Sequence, residues 1–328
     1  MRLKMPVLAK REFGPVTWFI LPQFLMVAGM AYIIYVLLFI ELVKSYRGRL
    51  SQSTLILLIF LGVQFAIGID FQVTTSEFRS AIMELVGLAL LVIGPPILSD
   101  AESRKIDPSR RGSFLIASFY VLLIFIEINN PKAVVEGFYQ ISCLSFIYYF
   151  SGHTSRGWLY PILVFGLSGA RTATVSWIVF QTSRFLNHRF WRLFTFALVP
   201  LLFLLLIGSA DWLKHLQETG THLKGRTGFW LNLISNSPIS FFGMGSGYSV
   251  DMTTQYLGIY QLPHNDYLRV IYDYGILGAI IFCRAFYVMG IGRNLYAFMF
   301  AAFCITGNPL TFPSAVTGLV MSNKFSSK

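Results

Sequence analysis

The sequence predicts an all-α fold, a polytopic transmembrane helical bundle of about nine to eleven spans, and three observations predict it. Of 328 residues, 55% are apolar and 12% charged, more apolar surface than one soluble core can hide. Uncharged runs reach membrane length: 27 residues over Gly14–Ile40, 20 over Leu50–Ile69 and 18 over Leu193–Ala210, where about 20 residues of helix cross ~30 Å of hydrocarbon. The third observation is where the charge sits. The formal net charge is +11, yet the basic residues lie mostly in short segments between apolar runs, where headgroups and membrane orientation account for them. Nucleic acid is therefore not an expected partner.

Taken in order, the apolar segments fall at about 16–42, 50–69, 81–99, 112–128, 137–152, 158–180, 193–210, 267–290 and 294–323, split mostly by short charged turns. The first follows Arg2, Lys4, Lys10 and Arg11. It is too long for a signal-peptide core and lacks a clear small-residue cleavage site, so it reads as a retained span. Trp158–Phe180 reads either as one span with Arg171 inside the bilayer or as two short helices hinged at "GLSGARTA", where Gly166 and Gly169 permit a turn. Asn294–Asn323 breaks similarly at "GNPLTFP", through Gly307 and Pro309. Residues 1–328 read as one integral membrane domain with a single long loop, 211–266, inserted between spans. Cys143, Cys283 and Cys304 all lie in apolar segments without metal-type spacing and read as small packing residues.

Lys and Arg in short loops set the orientation. On the hinged and broken readings, one side receives Lys44, Arg47, Arg49, Arg104, Lys105, Arg110, Arg111 and Arg156, then Arg184, Arg189, Arg192, Arg284, Arg293, Lys324 and Lys328. That side is expected to be cytoplasmic, which puts the 211–266 loop in the periplasm. The basic N-terminus falls on the outer side by this count, so the number of spans before Lys44 is left open.

Ionisable groups are costly in hydrocarbon, which singles out Arg171. It is either a hinge arginine snorkelling to headgroups or an anion clamp gripping phosphate oxygens in bidentate fashion. In the loop, Phe229, Trp230, Leu233 and Ile234 recur at helical spacing, so an amphipathic helix lying on the bilayer is expected, ended by Pro238. Lys224 and Arg226 at its start oppose the helix dipole unless an anion sits between them. The "GMGSG" stretch has the wrong spacing for a dinucleotide fingerprint. Gly243 and Gly245 serve either a tight loop or close backbone approach to a sugar or phosphate.

In "LPHNDYLRVIYDYGILGAIIF", Asn265 or Asp266 is the expected N-cap of the following helix. His264 then sits before the first turn, where the dipole disfavours imidazolium. It is either an interfacial histidine beside a cap or a general base. Asp266, Arg269 and Asp273 share one helix face and read as a salt-bridged stripe. With no Asp-x-Asp, Walker A loop or Cys/His ligand cluster in the sequence, no metal or nucleotide cofactor is expected.

Three pieces in this order, "LSGARTA", "GRTGFW" leading through "SPISFFGMGSGYS", and "PHNDYLRVIYDYGILGA", resemble the bacterial O-antigen ligase and O-antigen polymerase family over roughly Gly157–Ala279. The resemblance implies an inner-membrane glycosyltransferase with a periplasmic active site. Such an enzyme takes glycan from undecaprenyl pyrophosphate and joins it to a sugar hydroxyl without metal or cofactor. It implies Arg171 and Arg226 as pyrophosphate ligands and His264 as base or acceptor-orienting group, with Lys224, Asn265, Gly243 and Gly245 as candidate substrate contacts. Polymerisation of lipid-linked repeat units for O-antigen, capsule or exopolysaccharide is the leading expectation, and ligation to lipid A core the alternative. The undecaprenyl-pyrophosphate-linked glycan and the lipid bilayer are the expected partners, with a flippase and a chain-length regulator as candidate protein partners. The chain departs from the family in length and in carrying tyrosine after the acidic position, as "YDYGILG". A polyprenol-glycan flippase or transporter is the non-enzyme alternative. It calls for polar groups along a midplane path, for which Glu84 and Arg171 alone are a poor supply.

Overall fold

A computed structural model of the chain describes residues 50–72, 74–99, 171–183, 197–205, 208–218, 226–291, 294–311, 315, 316 and 319. Among the described residues every regular element is helical, as the sequence predicts. The expected spans at 16–42, 112–128 and 137–152 lie outside them, as do Gly166, Gly169, Cys143 and Lys224, and of Arg171 only the backbone is described.

Local signals set the helix starts. Helix α1, Gln52–Ile67, begins at Ser51, whose Oγ accepts from the Thr54 amide at 3.2 Å. A 3-10 turn, Gly68–Phe71, continues it. Together Gln52–Phe71 spans 20 residues at mean hydropathy 2.2 and is, among the described residues, the one helix long and apolar enough to cross a membrane. Its Leu55, Ile56, Ile59, Val63 and Ile67 are exposed. Helix α2, Thr75–Ser99, opens with a reciprocal capping box: the Thr74 amide donates to Glu77 Oε2 at 2.8 Å and the Glu77 amide to Thr74 Oγ1 at 3.2 Å.

Helix α3 is Arg171–Ser183, and residues 197–205 are also helical. Helix α4, Ala210–Glu218, packs on α5, Arg226–Asn236, and α5 on α6, Tyr248–Leu257. Then come α7, Asp266–Asp273, α8, Gly275–Val288, and α9, Leu295–Thr306, followed by a 3-10 turn, Pro309–Thr311. Helix α9 stops at Thr306, at the break expected in "GNPLTFP".

Two expectations are corrected. The α5 helix does not lay its apolar face on a bilayer: Phe229, Trp230 and Leu233 are buried in the protein core, leaving Ser235 and Asn236 exposed. Nor is 267–290 one helix. It breaks at Tyr274 because Gly275 takes φ +68°, the left-handed region that costs other residues energy. Every residue of α7 is buried, enclosed by α6, α8 and α9 and tied across to α2 through Arg269. The Tyr267 hydroxyl donates to the Ala301 carbonyl at 2.9 Å, and its ring meets Phe203 edge-on with centroids 4.8 Å apart.

A helix broken inside a core frees carbonyls at one end and amides at the other, and all need partners. The loop carrying "GMGSG" supplies both kinds. Met244 N and Gly245 N donate to the Tyr272 and Asp273 carbonyls at 2.9 and 3.0 Å, while Ile276 N and Leu277 N donate to the Ser240 and Phe241 carbonyls, both at 3.1 Å. Such contact requires glycine. A Cβ on Gly243 would overlap the Asp273 carbonyl, one on Gly275 the Gly243 amide, and one on Gly245 would lie 2.7 Å from Gly68 N. Gly243 and Gly245, at φ +92° and +107°, thus bring backbone against backbone. The Ser246 amide then donates to the Gln64 carbonyl at 3.0 Å, joining the loop to α1.

Gly243→Val or Gly275→Val is expected to destabilise the folded protein by on the order of 3 kcal/mol, through left-handed strain and overlap together. Gly62→Ala, which meets open space on α1, should change stability by no more than about 1 kcal/mol. Thermal unfolding of the purified variants in detergent checks the contrast.

Candidate functional site

The start of α7 gathers the polar residues. Asn265 is the N-cap, its Oδ1 accepting from the Leu268 amide at 3.1 Å. Immediately before it, His264 is the one non-glycine residue at positive φ among the described residues, at +51°. Histidine tolerates this region better than most side chains, but a structure keeps it there only when its neighbours over-determine it. Here both flanks are tied down. Trp230 Nε1 of α5 donates to the Pro263 carbonyl at 2.6 Å on one side, and the Asn265 cap holds the other.

The His264 ring lies between two amides. Its Nε2 is within hydrogen-bond distance of Gln261 Nε2, and its Nδ1 lies 3.4 Å from Asn308 Nδ2. Neutral imidazole carries one N–H and one lone pair, so one amide must present oxygen and the other nitrogen. Asn308 belongs to the segment after α9. That segment is fastened to α7 because the Leu310 amide donates to Asp266 Oδ2 at 2.8 Å. It is also pressed on α2, where a Cβ on Gly87 would overlap the Leu310 carbonyl.

Arg226 opens α5, one helical turn before Trp230 and so about 6 Å from it along the axis. The indole bond to Pro263 therefore brings the Arg226 end of α5 to the His264 loop. Arg171 opens α3, which packs on α9.

Beneath the site lies a buried charge cluster. Arg269 Nη2 donates to Glu84 Oε2 on α2 at 2.7 Å and contacts Ser80 Oγ at 3.4 Å. Arg269 Nη1 stands 3.6 Å from Asp266 Oδ1, close enough for attraction but not for a hydrogen bond. All three side chains are wholly buried. Burial pushes the Asp266 carboxyl up to about 8, against the opposing pull of Arg269 and the Leu310 amide. Asp273 takes no part in an ion-paired stripe. Its oxygens accept from the Gly247 and Ser249 amides at 3.0 and 2.7 Å, at the N-terminal end of α6, where a carboxylate complements the helix dipole. The expected stripe holds in part: Asp266 and Arg269 form the i,i+3 ion pair, Arg269 makes its closer bond to Glu84, and Asp273 turns away to α6.

Sequence reading nominated His264, Asn265 and Arg226: His264 and Asn265 stand side by side at the start of α7, and Arg226 opens α5, the helix whose Trp230 bonds the Pro263 carbonyl. It missed Asn308 and the Glu84–Arg269 pair, because partners 44 and 185 positions apart leave no periodic signal, and Gln261, three positions before His264, because a lone amide carries none. Gly243 and Gly245 are occupied with the α7–α8 break. Among the described residues no group of His, Cys, Asp and Glu is arranged to hold a metal ion. No family model, curated protein or solved structure matches the chain.

Arg269→Ala or Glu84→Ala leaves a buried charge without its partner and is expected to cost about 3–5 kcal/mol. Replacing both, Glu84→Leu with Arg269→Met, should cost less than the sum of the single changes. Unfolding midpoints of the three variants in detergent provide the test.

Proposed function

We propose that the chain is a polytopic inner-membrane glycosyltransferase. In this reading it polymerises lipid-linked repeat units at the periplasmic face, transferring glycan from undecaprenyl pyrophosphate to an acceptor sugar hydroxyl. The observation that carries the proposal is the 2.6 Å bond from Trp230 Nε1 to the Pro263 carbonyl. It joins the helix led by Arg226, a permanent cation, to the strained loop that carries His264. Arg171 is the third member. Arg171 opens α3, whose Phe180 ring lies 5.5 Å from that of Phe298 on α9, the helix that leads into Asn308.

The chemistry is a displacement at the anomeric carbon. The acceptor oxygen forms the new glycosidic bond as the bond to pyrophosphate breaks with inversion, and the hydroxyl proton passes to His264. Charge gathers on the departing pyrophosphate oxygen, where Arg171 and Arg226 stabilise it in a water-poor setting that strengthens both contacts. No step calls on a metal or nucleotide. The exposed apolar side chains of α1 support the membrane setting, since a contiguous exposed apolar face on a soluble protein is uncommon. So does the composition of the whole chain, 55% apolar. Polymerase is preferred to ligase on the sequence resemblance.

Alanine at Arg171, Arg226 or His264 is expected to lower glycan transfer at least about a hundredfold while the protein stays in the membrane at its normal level. Arg226→Lys should not restore it, because lysine lacks the bidentate fork. Glycan length on gels reads the result, and near-normal polymer from each alanine variant would refute the roles. Gene deletion separates the two acceptors: loss of a polymerase leaves single repeat units on lipid A core, and loss of a ligase leaves the core bare.

A further inference from the structure

We propose that Asn308 and Gln261 are positioning residues for His264, fixing which ring nitrogen is the base. The inference rests on the reading of His264 as the proton acceptor and adds the device that selects its tautomer. Gln261 and Asn308 approach opposite nitrogens of one ring. Two NH2 groups cannot both donate to neutral imidazole, so one amide is turned. The Nδ1 side decides which: the buried Asn308 Oδ1 has no hydrogen-bond partner while its amide nitrogen faces the ring, and turning the amide gives it one, which leaves the Gln261 N–H to donate to the Nε2 lone pair. Asn308 is then the turned amide, and its carbonyl oxygen accepts from Nδ1–H. That assignment leaves Nε2 as the basic atom.

The two amides differ in how firmly they are held. Asn308 is buried, 3% exposed, and its backbone carbonyl accepts from the Thr311 amide at 3.1 Å and from Thr311 Oγ1 at 2.8 Å. Two residues further on, the segment is anchored to Asp266 through Leu310 N. It is therefore a fixed orienter, the part an Asn or Asp plays behind the histidine of hydrolase triads. Gln261 is half-buried and lies in the connection between α6 and α7. Its N–H occupies the place that an acceptor hydroxyl would take, and it withdraws when the sugar enters.

Among the described residues, Asp266, two positions after His264, turns its oxygens to Leu310 N and Arg269. A new carboxylate at position 308 would thus act on Nδ1 directly. Asn308→Asp keeps the acceptor and adds charge, which raises the proton affinity of the ring. Asn308→Ala removes the acceptor, and Gln261→Ala uncovers Nε2.

The test is carried out on the full-length protein in detergent. Carbethoxylation of His264 by diethyl pyrocarbonate is followed against pH by peptide mass spectrometry, beside glycan transfer by the same preparations. Asn308→Asp is expected to move the reactivity midpoint of His264 up by about one pH unit or more. It should retain transfer, with the pH midpoint of transfer moved alike. Asn308→Ala should lose transfer at least about tenfold, and Gln261→Ala should speed carbethoxylation several-fold. An unmoved reactivity midpoint in Asn308→Asp, together with an unchanged rate in Gln261→Ala, would overturn the proposal. If the midpoint moves in reactivity but not in transfer, the positioning stands and the reading of His264 as the base falls.

Discussion

The hydrogen bonding of a broken helix is the constraint on which the rest depends. Where α7 stops and α8 begins, the backbone exposes carbonyls and amides in a setting from which water is excluded, and each would be costly alone. The Ser240–Ser249 loop answers both ends at once, donating from Met244 and Gly245 and accepting through Ser240 and Phe241. Asp273, the last residue of α7, returns the contact by capping α6. The break, the loop and α6 therefore form one welded unit. The other end of α7 carries Asn265 and His264.

The ionic cluster on α7 works with that weld. Arg269 cannot leave Glu84 without stranding a charge, and Asp266 cannot leave Leu310 without freeing an amide. A buried ion pair is a poor source of net stability, but it penalises misplacement heavily. Here it fixes the rotation of α7 about its axis and its height against α2 and the segment after α9. Those two settings determine where His264 meets Asn308. The charges serve the geometry of the site without touching it.

Much of the fold is legible in the sequence because its signals are local. Asn265 as a cap and the stop after Thr306 are short-range chemistry, read from residue type and spacing, and Ser51 and the Thr74–Glu77 box are local signals of the same kind that the apolar pattern overshadows. The break at Tyr274 was hidden because "YDYGILGAIIF" is apolar enough to read straight through, and only the left-handed Gly275 betrays it. The α5 helix was misplaced on the bilayer because an apolar face does not say what covers it. In the site, His264, Asn265 and Arg226 stood out as polar residues in an unusual place. Gln261 and Asn308 did not, since a lone amide carries no signal until a fold sets it beside a histidine.

The central claim is that Arg171, Arg226 and His264 serve one lipid diphosphate at the outer rim of the bundle. A cryo-electron microscopy map of the purified chain in lipid with bound undecaprenyl pyrophosphate tests it most directly. The account predicts diphosphate density within hydrogen-bond reach of both guanidinium groups, with the imidazole facing the side on which a sugar would attach. Diphosphate bound elsewhere, or Arg171 on the opposite membrane face from His264, would contradict it.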